Sequence, residues 1–171
     1  MENKIDFLAI GDIVIDAFIK LRYAHVTENI NHENRELCVR FGDKVPYESV
    51  DVLNAVGNSP NAAVSASRLG LNSALLAYIG DDQNGKDCLE SLQKDKVMTK
   101  YISTISGMKT NYHYVLWYGP ERTILVKHEE YPYKFPEIPE NVGWIYLSSM
   151  AENSLPYHQE IGKYLTEHPE T

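Results

Sequence analysis

Apolar and polar positions along the chain switch between two periods, and each switch marks an element. Ile5 to Gly11 is an apolar run ending in glycine, which predicts a buried first strand of a parallel sheet. Ile13 to Leu21 stays apolar with Asp16 embedded in it. A carboxylate inside such a run stands out, although a strand end with Asp16 facing solvent is the plain reading. From Tyr23 to Asn34 the sequence turns polar and loses periodicity, which predicts a loop. Leu37, Val39 and Phe41 then alternate with Cys38 and Arg40, and Val45 to Leu53 follows after Gly42-Asp43. These two stretches predict an antiparallel pair with one face covered.

The clearest helix signal comes next. Ser59 is placed to cap, Pro60 suits the first helical position, and Gly70 closes after Leu69. Ala62, Ala63, Ala66 and Ser67 are small enough to let this helix lie close against a sheet. Ser73 to Ile79 predicts a second apolar strand. Asn84 to Lys94 predicts an amphipathic helix with Cys88, Leu89 and Leu92 as its apolar stripe. Tyr112–Tyr118 and Arg122–Lys127 flank Gly119-Pro120-Glu121 and predict a hairpin. Pro132, Pro136 and Pro139 mark a loop, Trp144 to Leu147 a third short buried strand, and Pro156 to His168 a last helix. Strands separated by helices imply a layered α/β core with a parallel sheet. The hairpin-like strands imply a smaller antiparallel sheet set on it.

Composition narrows the function classes. The 171 residues are 43% hydrophobic and carry a net charge of −8, with no basic cluster, so the chain lacks the cationic patch that phosphate backbones or anionic membranes require. Twelve tyrosines suit strand-rich structure first and sugar stacking second. Cys38 and Cys88 have neither zinc-ligand nor CxxC spacing, and no apolar run is long enough to span a membrane, which points to a reducing cytoplasm. The six histidines show no metal-binding spacing, and His113 and His128 read as ordinary surface or strand residues. No metal ligands are expected. Asp81 to Gly85 lacks the ligand pattern of a calcium loop and reads as a turn into a helix.

The stretch from Val56 to Ala63 carries the most chemistry. Gly57 removes a side chain where a ligand could approach the backbone, and Asn61 falls in the first helical turn with an amide that donates and accepts. Asn58 lies between them, and free helix N–H groups are nearby. A polyol asks for this mixture, since each hydroxyl both donates and accepts. Gly57-Asn58 read as a mere turn, with Asn61 as a second-choice cap, is the competing account. Ser148-Ser149 follows a strand and could reach a ligand, or could be an ordinary loop.

The whole pattern resembles the N-terminal signature of the ribokinase-like (PfkB) carbohydrate kinases. The Gly57 turn, Asn61 opening a helix, Gly70 after Arg68-Leu69, and Gly80-Asp81-Asp82 with Gly85 all match it, as does Ile10-Gly11-Asp12-Ile13-Val14-Ile15-Asp16 as first strand. Val56 stands where the family often has a second glycine. The resemblance implies a ribokinase-like α/β core with a parallel sheet and a small antiparallel β lid. Residues 1–171 would be the N-terminal part of one such domain, with lid strands near 13–22, 36–53 and 112–128. It implies that Asp16, Gly57, Asn58 and Asn61 line the acceptor site and that the lid closes over it.

The same resemblance implies ATP-dependent phosphorylation of a hydroxymethyl group on a sugar or nucleoside, with Mg2+. The family's nucleotide-binding Gly-Ala-Gly-Asp segment does not occur here, and Gly11-Asp12, Gly42-Asp43 and Gly80-Asp81 stand in other contexts. There is no Walker-type loop either. The catalytic base is therefore expected in an absent C-terminal half, and the chain alone is expected to be inactive and to bind neither ATP nor Mg2+. A homodimer through the lid strands is a further expectation. The alternative is a non-catalytic sugar-binding or dimerisation module built from a truncated kinase fold.

Overall fold

The computed structural model describes residues 4–28, 31, 33–134, 138, 142–169 and 171. Pro136 and Pro139, read above as loop markers, lie outside the described residues. The chain divides into two compact units. The first comprises Met1–Ile15, Asn54–Asn111 and His128–Thr171, and the second Asp16–Leu53 and Tyr112–Lys127.

The first unit is built on a four-stranded parallel sheet. Its strands are β1 (Ile5–Ile10), β6 (Ser73–Gly80), β7 (Ile102–Ile105) and β10 (Val142–Leu147), in the order β10-β1-β6-β7. β1 and β6 are central and largely apolar: Leu8, Ala9, Ile10, Leu75 and Ile79 are fully buried. That satisfies the expectation of buried parallel strands. β7 was not legible, because four residues with two exposed positions carry little periodic signal. β10 was expected to be buried and is not. It is an edge strand with Trp144 73% exposed and Phe7 stacked on Tyr146 at 6.2 Å.

Helix α1 (Asn58–Arg68) lies on β1 and β6, with Ala63 and Ala66 buried as the small-residue face requires. Its start differs from expectation. Gly57, not Ser59, is the N-cap, and Pro60 stands in the third helical position, still within the first turn where no N–H is needed. Ser59 is fully buried; its Oγ hydrogen-bonds to the Ile10 carbonyl and to Ser148 Oγ, each at 2.7 Å. Helix α2 (Gln83–Lys94) buries Cys88 and Leu92, and burial pushes the Cys88 thiol up to about 12, so it packs as an apolar group. Helix α3 (Leu155–Glu167) covers the opposite side through Tyr157 and Ile161, which join Leu8, Ile10 and Tyr78 in one core cluster. Tyr78, Tyr131, Tyr133 and Tyr157 form an aromatic group with centroids 5.1 to 6.3 Å apart, so these tyrosines are structural.

The second unit holds a four-stranded sheet and a ribbon. The sheet order is β5-β2-β8-β9, with β2 (Val14–Leu21), β5 (Tyr47–Val56), β8 (Asn111–Tyr118) and β9 (Glu121–Leu125). The β8–β9 hairpin is antiparallel around Gly119-Pro120, as the turn residues predict. The expected antiparallel pairing of residues 36–41 with 45–53 does not form. β4 (Glu36–Cys38) pairs instead with β3 (His25–Thr27), inside the stretch read as a loop, and β5 pairs with β2. Nor is β5 covered on one face, since Tyr47 to Leu53 are all exposed. No helix among the described residues is long and apolar enough to cross a membrane.

The Gly80-Asp81-Asp82 signature is a structural clasp in the first unit. A Cβ on Gly80 would come within 2.3 Å of the Met108 carbonyl oxygen, so only glycine fits. Asp82 caps α2 by accepting from the Gly85 N–H (2.9 Å), and it also accepts from Thr110 Oγ1 (2.7 Å) and the Thr110 N–H (3.1 Å). Asp81 accepts from Ser106 Oγ and the Gly107 N–H. Gly80→Ala is therefore expected to lower stability by about 1–3 kcal/mol, read from urea unfolding. Burial acts to raise the Asp82 carboxyl, but the Thr110 and Gly85 donors outweigh it and hold the group below its ordinary value. The folded state thus favours the carboxylate, and this stabilisation is lost as pH falls from about pH 4 downward. Asp82→Asn keeps a capping oxygen and removes the titration, so its urea midpoint should fall less than the parent's between pH 6 and pH 3.

Candidate functional site

In the first unit, the start of α1 follows a turn that only glycine can make. Gly57 has φ of +117°, and a Cβ there would stand 3.0 Å from the Asp12 carbonyl oxygen. The Asn61 N–H donates to the Gly57 carbonyl at 3.0 Å. Gly57, Asn58 and Asn61 are thus brought together on one turn, with Asn58 and Asn61 exposed. Val56 keeps negative φ where the family's second glycine would be, and Ala55 takes the left-handed conformation instead, at φ of +56°. A left-handed residue with a side chain is costly by about 1–2 kcal/mol, and such strain collects at functional turns.

Asp12, two residues past β1, anchors this region. It is 6% exposed. Its Oδ1 accepts from Tyr133 Oη at 2.9 Å; its Oδ2 accepts from the Ala151 N–H at 2.9 Å and lies 3.1 Å from His128 Nδ1. The carboxylate pushes the Tyr133 phenol further above its ordinary value than burial alone does, so Tyr133 stays a donor. His128, read from sequence as an ordinary strand residue, follows β9 and faces this carboxylate. Asp12 escaped the sequence reading because its partners lie more than a hundred residues downstream. Ser148, offered as a ligand contact, is engaged by Ser59.

Asp16 belongs to the second unit, on β2. It is not a solvent-facing strand end: its side chain is 21% exposed, and Oδ1 is buried without a hydrogen bond, 3.5 Å from His113 Nδ1 on β8. Burial raises the Asp16 carboxyl, while His113 and Arg122 of β9 act to lower it. A buried carboxylate oxygen lacking a donor is the group a ligand hydroxyl would satisfy. Nothing in the local spacing of His113 and Arg122 announces that β8, and β9 beyond it, bring them toward Asp16. Among the described residues, no three His, Cys, Asp or Glu side chains gather to hold a metal ion.

Residues 23–157 match the pfkB family carbohydrate kinase. An ATP-dependent 6-phosphofructokinase from Thermoanaerobacterium thermosaccharolyticum is 25% identical over 105 residues, covering 61% of this chain and 26% of that protein. A nucleoside kinase from Methanocaldococcus jannaschii, an archaeal member of the ribokinase family, superposes with a TM-score of 0.67 at 14% identity over 94% of this chain and 49% of its own. A ribokinase from Cryptococcus neoformans var. grubii serotype A in complex with ADP gives a TM-score of 0.64 at 17% identity, over 94% of this chain and 44% of its own. The matches thus span about a quarter of that curated relative and under half of each solved structure. At these identities the structural likeness shows the fold, which is the ribokinase fold expected above. With the family match running across most of its length, the chain belongs to the pfkB family of carbohydrate kinases.

Proposed function

We propose that this chain is the acceptor-binding part of a kinase that moves the γ-phosphate of ATP onto a hydroxymethyl group of a sugar or nucleoside. The observation that carries the reading is the buried, undonated Oδ1 of Asp16, the last residue of the first-strand motif Ile10–Asp16. In this reading Asp16 accepts from sugar hydroxyls. Gly57 admits the acceptor to the backbone, and Asn58 and Asn61 donate to and accept from its hydroxyls. The Asp12 cluster holds the Gly57 turn in place.

ATP and Mg2+ enter through residues this chain does not supply. The family's Gly-Ala-Gly-Asp segment does not occur in the sequence, so no transfer step is assigned to its residues. The chain alone is inactive in this reading, and the cytoplasm suits its unpaired cysteines Cys38 and Cys88. A second reading, a non-catalytic sugar-binding or dimerisation module, is favoured by one feature. β5 is an edge strand with Val50, Val52 and Leu53 exposed, a surface suited to a second copy.

Calorimetric titration of the purified chain with ribose, fructose and adenosine tests the first reading. Binding of at least one acceptor is expected, weakened ten-fold or more by Asp16→Ala and by Asn61→Ala; binding that ignores both substitutions would refute the assignment. Turnover of ATP by residues 1–171 would refute their inactivity. The second reading predicts a concentration-dependent dimer in light scattering that is lost on Val52→Lys.

A stability measurement bears on Asp16 separately. Because the folded state raises its carboxyl, the folded chain holds that proton more tightly than the unfolded one, and stability is lost as pH rises through the folded value. Asp16→Asn should therefore raise the melting temperature at pH 7, with the gain vanishing near pH 3. An equal gain at both pH values would show that burial of the charge is not the cause.

A further inference from the structure

In the first unit, the strap of residues 148–151 between β10 and α3 ties β1, α1 and α3 together. The Ser148 N–H donates to the Ile10 carbonyl at 3.0 Å, and the Ala151 N–H donates to Asp12 Oδ2 at 2.9 Å. The Ile10 carbonyl also accepts from Ser59 Oγ at 2.7 Å, and Ser59 Oγ meets Ser148 Oγ at the same distance. With its own proton committed to Ile10, the Ser59 hydroxyl can only accept from Ser148. Glycine alone fits beneath this pair: a Cβ on Gly11 would come within 2.3 Å of Ser148 Oγ and 2.5 Å of Ser59 Oγ. Ser59 is fully buried and lies in the first turn of α1, next to Asn58. The hydroxyl pair therefore fixes where that turn stands on β1.

His158, near the start of α3, holds the other side of the strap. Its Nε2 lies 3.1 Å from the Ser148 carbonyl, and its Nδ1 lies 3.2 Å from Ser154 Oγ and 3.1 Å from the Ser154 carbonyl. A carbonyl only accepts, so Nε2 carries the hydrogen. In the neutral ring Nδ1 accepts from the Ser154 hydroxyl, and in the charged ring it donates to the Ser154 carbonyl, so either state keeps the bond to Ser148. Tyr157 and Ile161 seat α3 in the core, and Met150 of the strap packs against the same cluster. A continuous line of hydrogen bonds thus runs from α3 through His158 to Ser148, and from Ser148 to Ser59 at the start of α1. An apolar residue at position 158 would leave the Ser148 carbonyl without this donor.

Resting on the reading that Gly57, Asn58 and Asn61 line the acceptor site, we infer that His158 is a positioning residue for that site, coupling the seating of α3 to acceptor binding through Ser148 and Ser59. Such coupling is reciprocal, so a bound acceptor also tightens α3. Amide hydrogen exchange on the purified chain, followed by NMR, tests the linkage without any ligand. His158→Leu should speed exchange of the Asn61 N–H, which bonds to the Gly57 carbonyl, about five-fold or more, while β6 amides such as that of Ile79 keep the parent rate. His158→Gln, whose amide can donate from near the Nε2 position, should stay within about two-fold of the parent. Ser148→Ala removes the hydroxyl, keeps the backbone of the strap and should act like His158→Leu, which decides the matter if the leucine variant does not fold. Ile161→Val loosens α3 without touching the strap, and should lower the melting temperature and leave Asn61 alone. Asn61 exchange at the parent rate in Ser148→Ala, or equally fast in His158→Gln or Ile161→Val, would overturn the inference. Calorimetry with ribose, fructose and adenosine then tests the link to binding. Affinity should fall about five-fold or more in Ser148→Ala and be spared in His158→Gln, and acceptor should slow exchange along α3 in the parent. Unchanged affinity in Ser148→Ala would overturn the inference and leave the acceptor reading standing. A parent chain that binds none of the three would overturn the acceptor reading and, with it, the coupling to binding, even where the exchange pattern holds.

Discussion

The Asp12 carboxylate sits where three distant stretches of the first unit converge. Its oxygens take a phenol from residue 133, a backbone N–H from residue 151 and an imidazole from residue 128. A carboxylate this buried is tolerated because both of its oxygens have partners, and each donor left without it would be penalised by about 1–3 kcal/mol. The arrangement fixes the turn after β1, and the Asp12 carbonyl in turn leaves no room for a side chain at residue 57. A polar constraint in the core therefore dictates the backbone where α1 begins.

The second unit is organised by a different economy. Asp16 is buried with one oxygen undonated and its acidity weakened, so the sheet that carries it gives up some stability at neutral pH. Asp12 and Asp16 are four residues apart and follow the same first strand, yet one is satisfied by its own chain and the other is not. That contrast separates a carboxylate satisfied within the fold from one whose burial leaves an oxygen without a donor.

Sequence patterning disclosed what depends on nearby residues. The apolar runs of β1 and β6, the small-residue face of α1, the α2 stripe and the Gly119-Pro120 turn all declare themselves within a few positions. The Gly57 turn and the place of Asn61 in the first helical turn were legible for the same reason. Strand partners were not: residues 36–38 turn back on residues 25–27, which no period or turn signal separates from the alternative pairing with β5. The same limit hid the Asp12 cluster, whose partners stand in loops more than a hundred residues on, and the approach of His113 to Asp16 from a strand about a hundred residues away. Ser59 was misread because its hydroxyl serves a buried carbonyl rather than the helix end.

The second unit is assembled from Asp16–Leu53 and Tyr112–Lys127, with β8 placed between β2 and β9. On a ribosome adding about 5–20 residues per second, the first of these segments emerges roughly 3–12 seconds before the second exists. For that interval β2 has no β8 to pair with, and β5, whose outward residues include Val50, Val52 and Leu53, can bind it only as a lone pair of strands, which is marginal by itself in water. The nascent chain must therefore carry an open strand edge through synthesis of the whole stretch from Asn54 to Asn111.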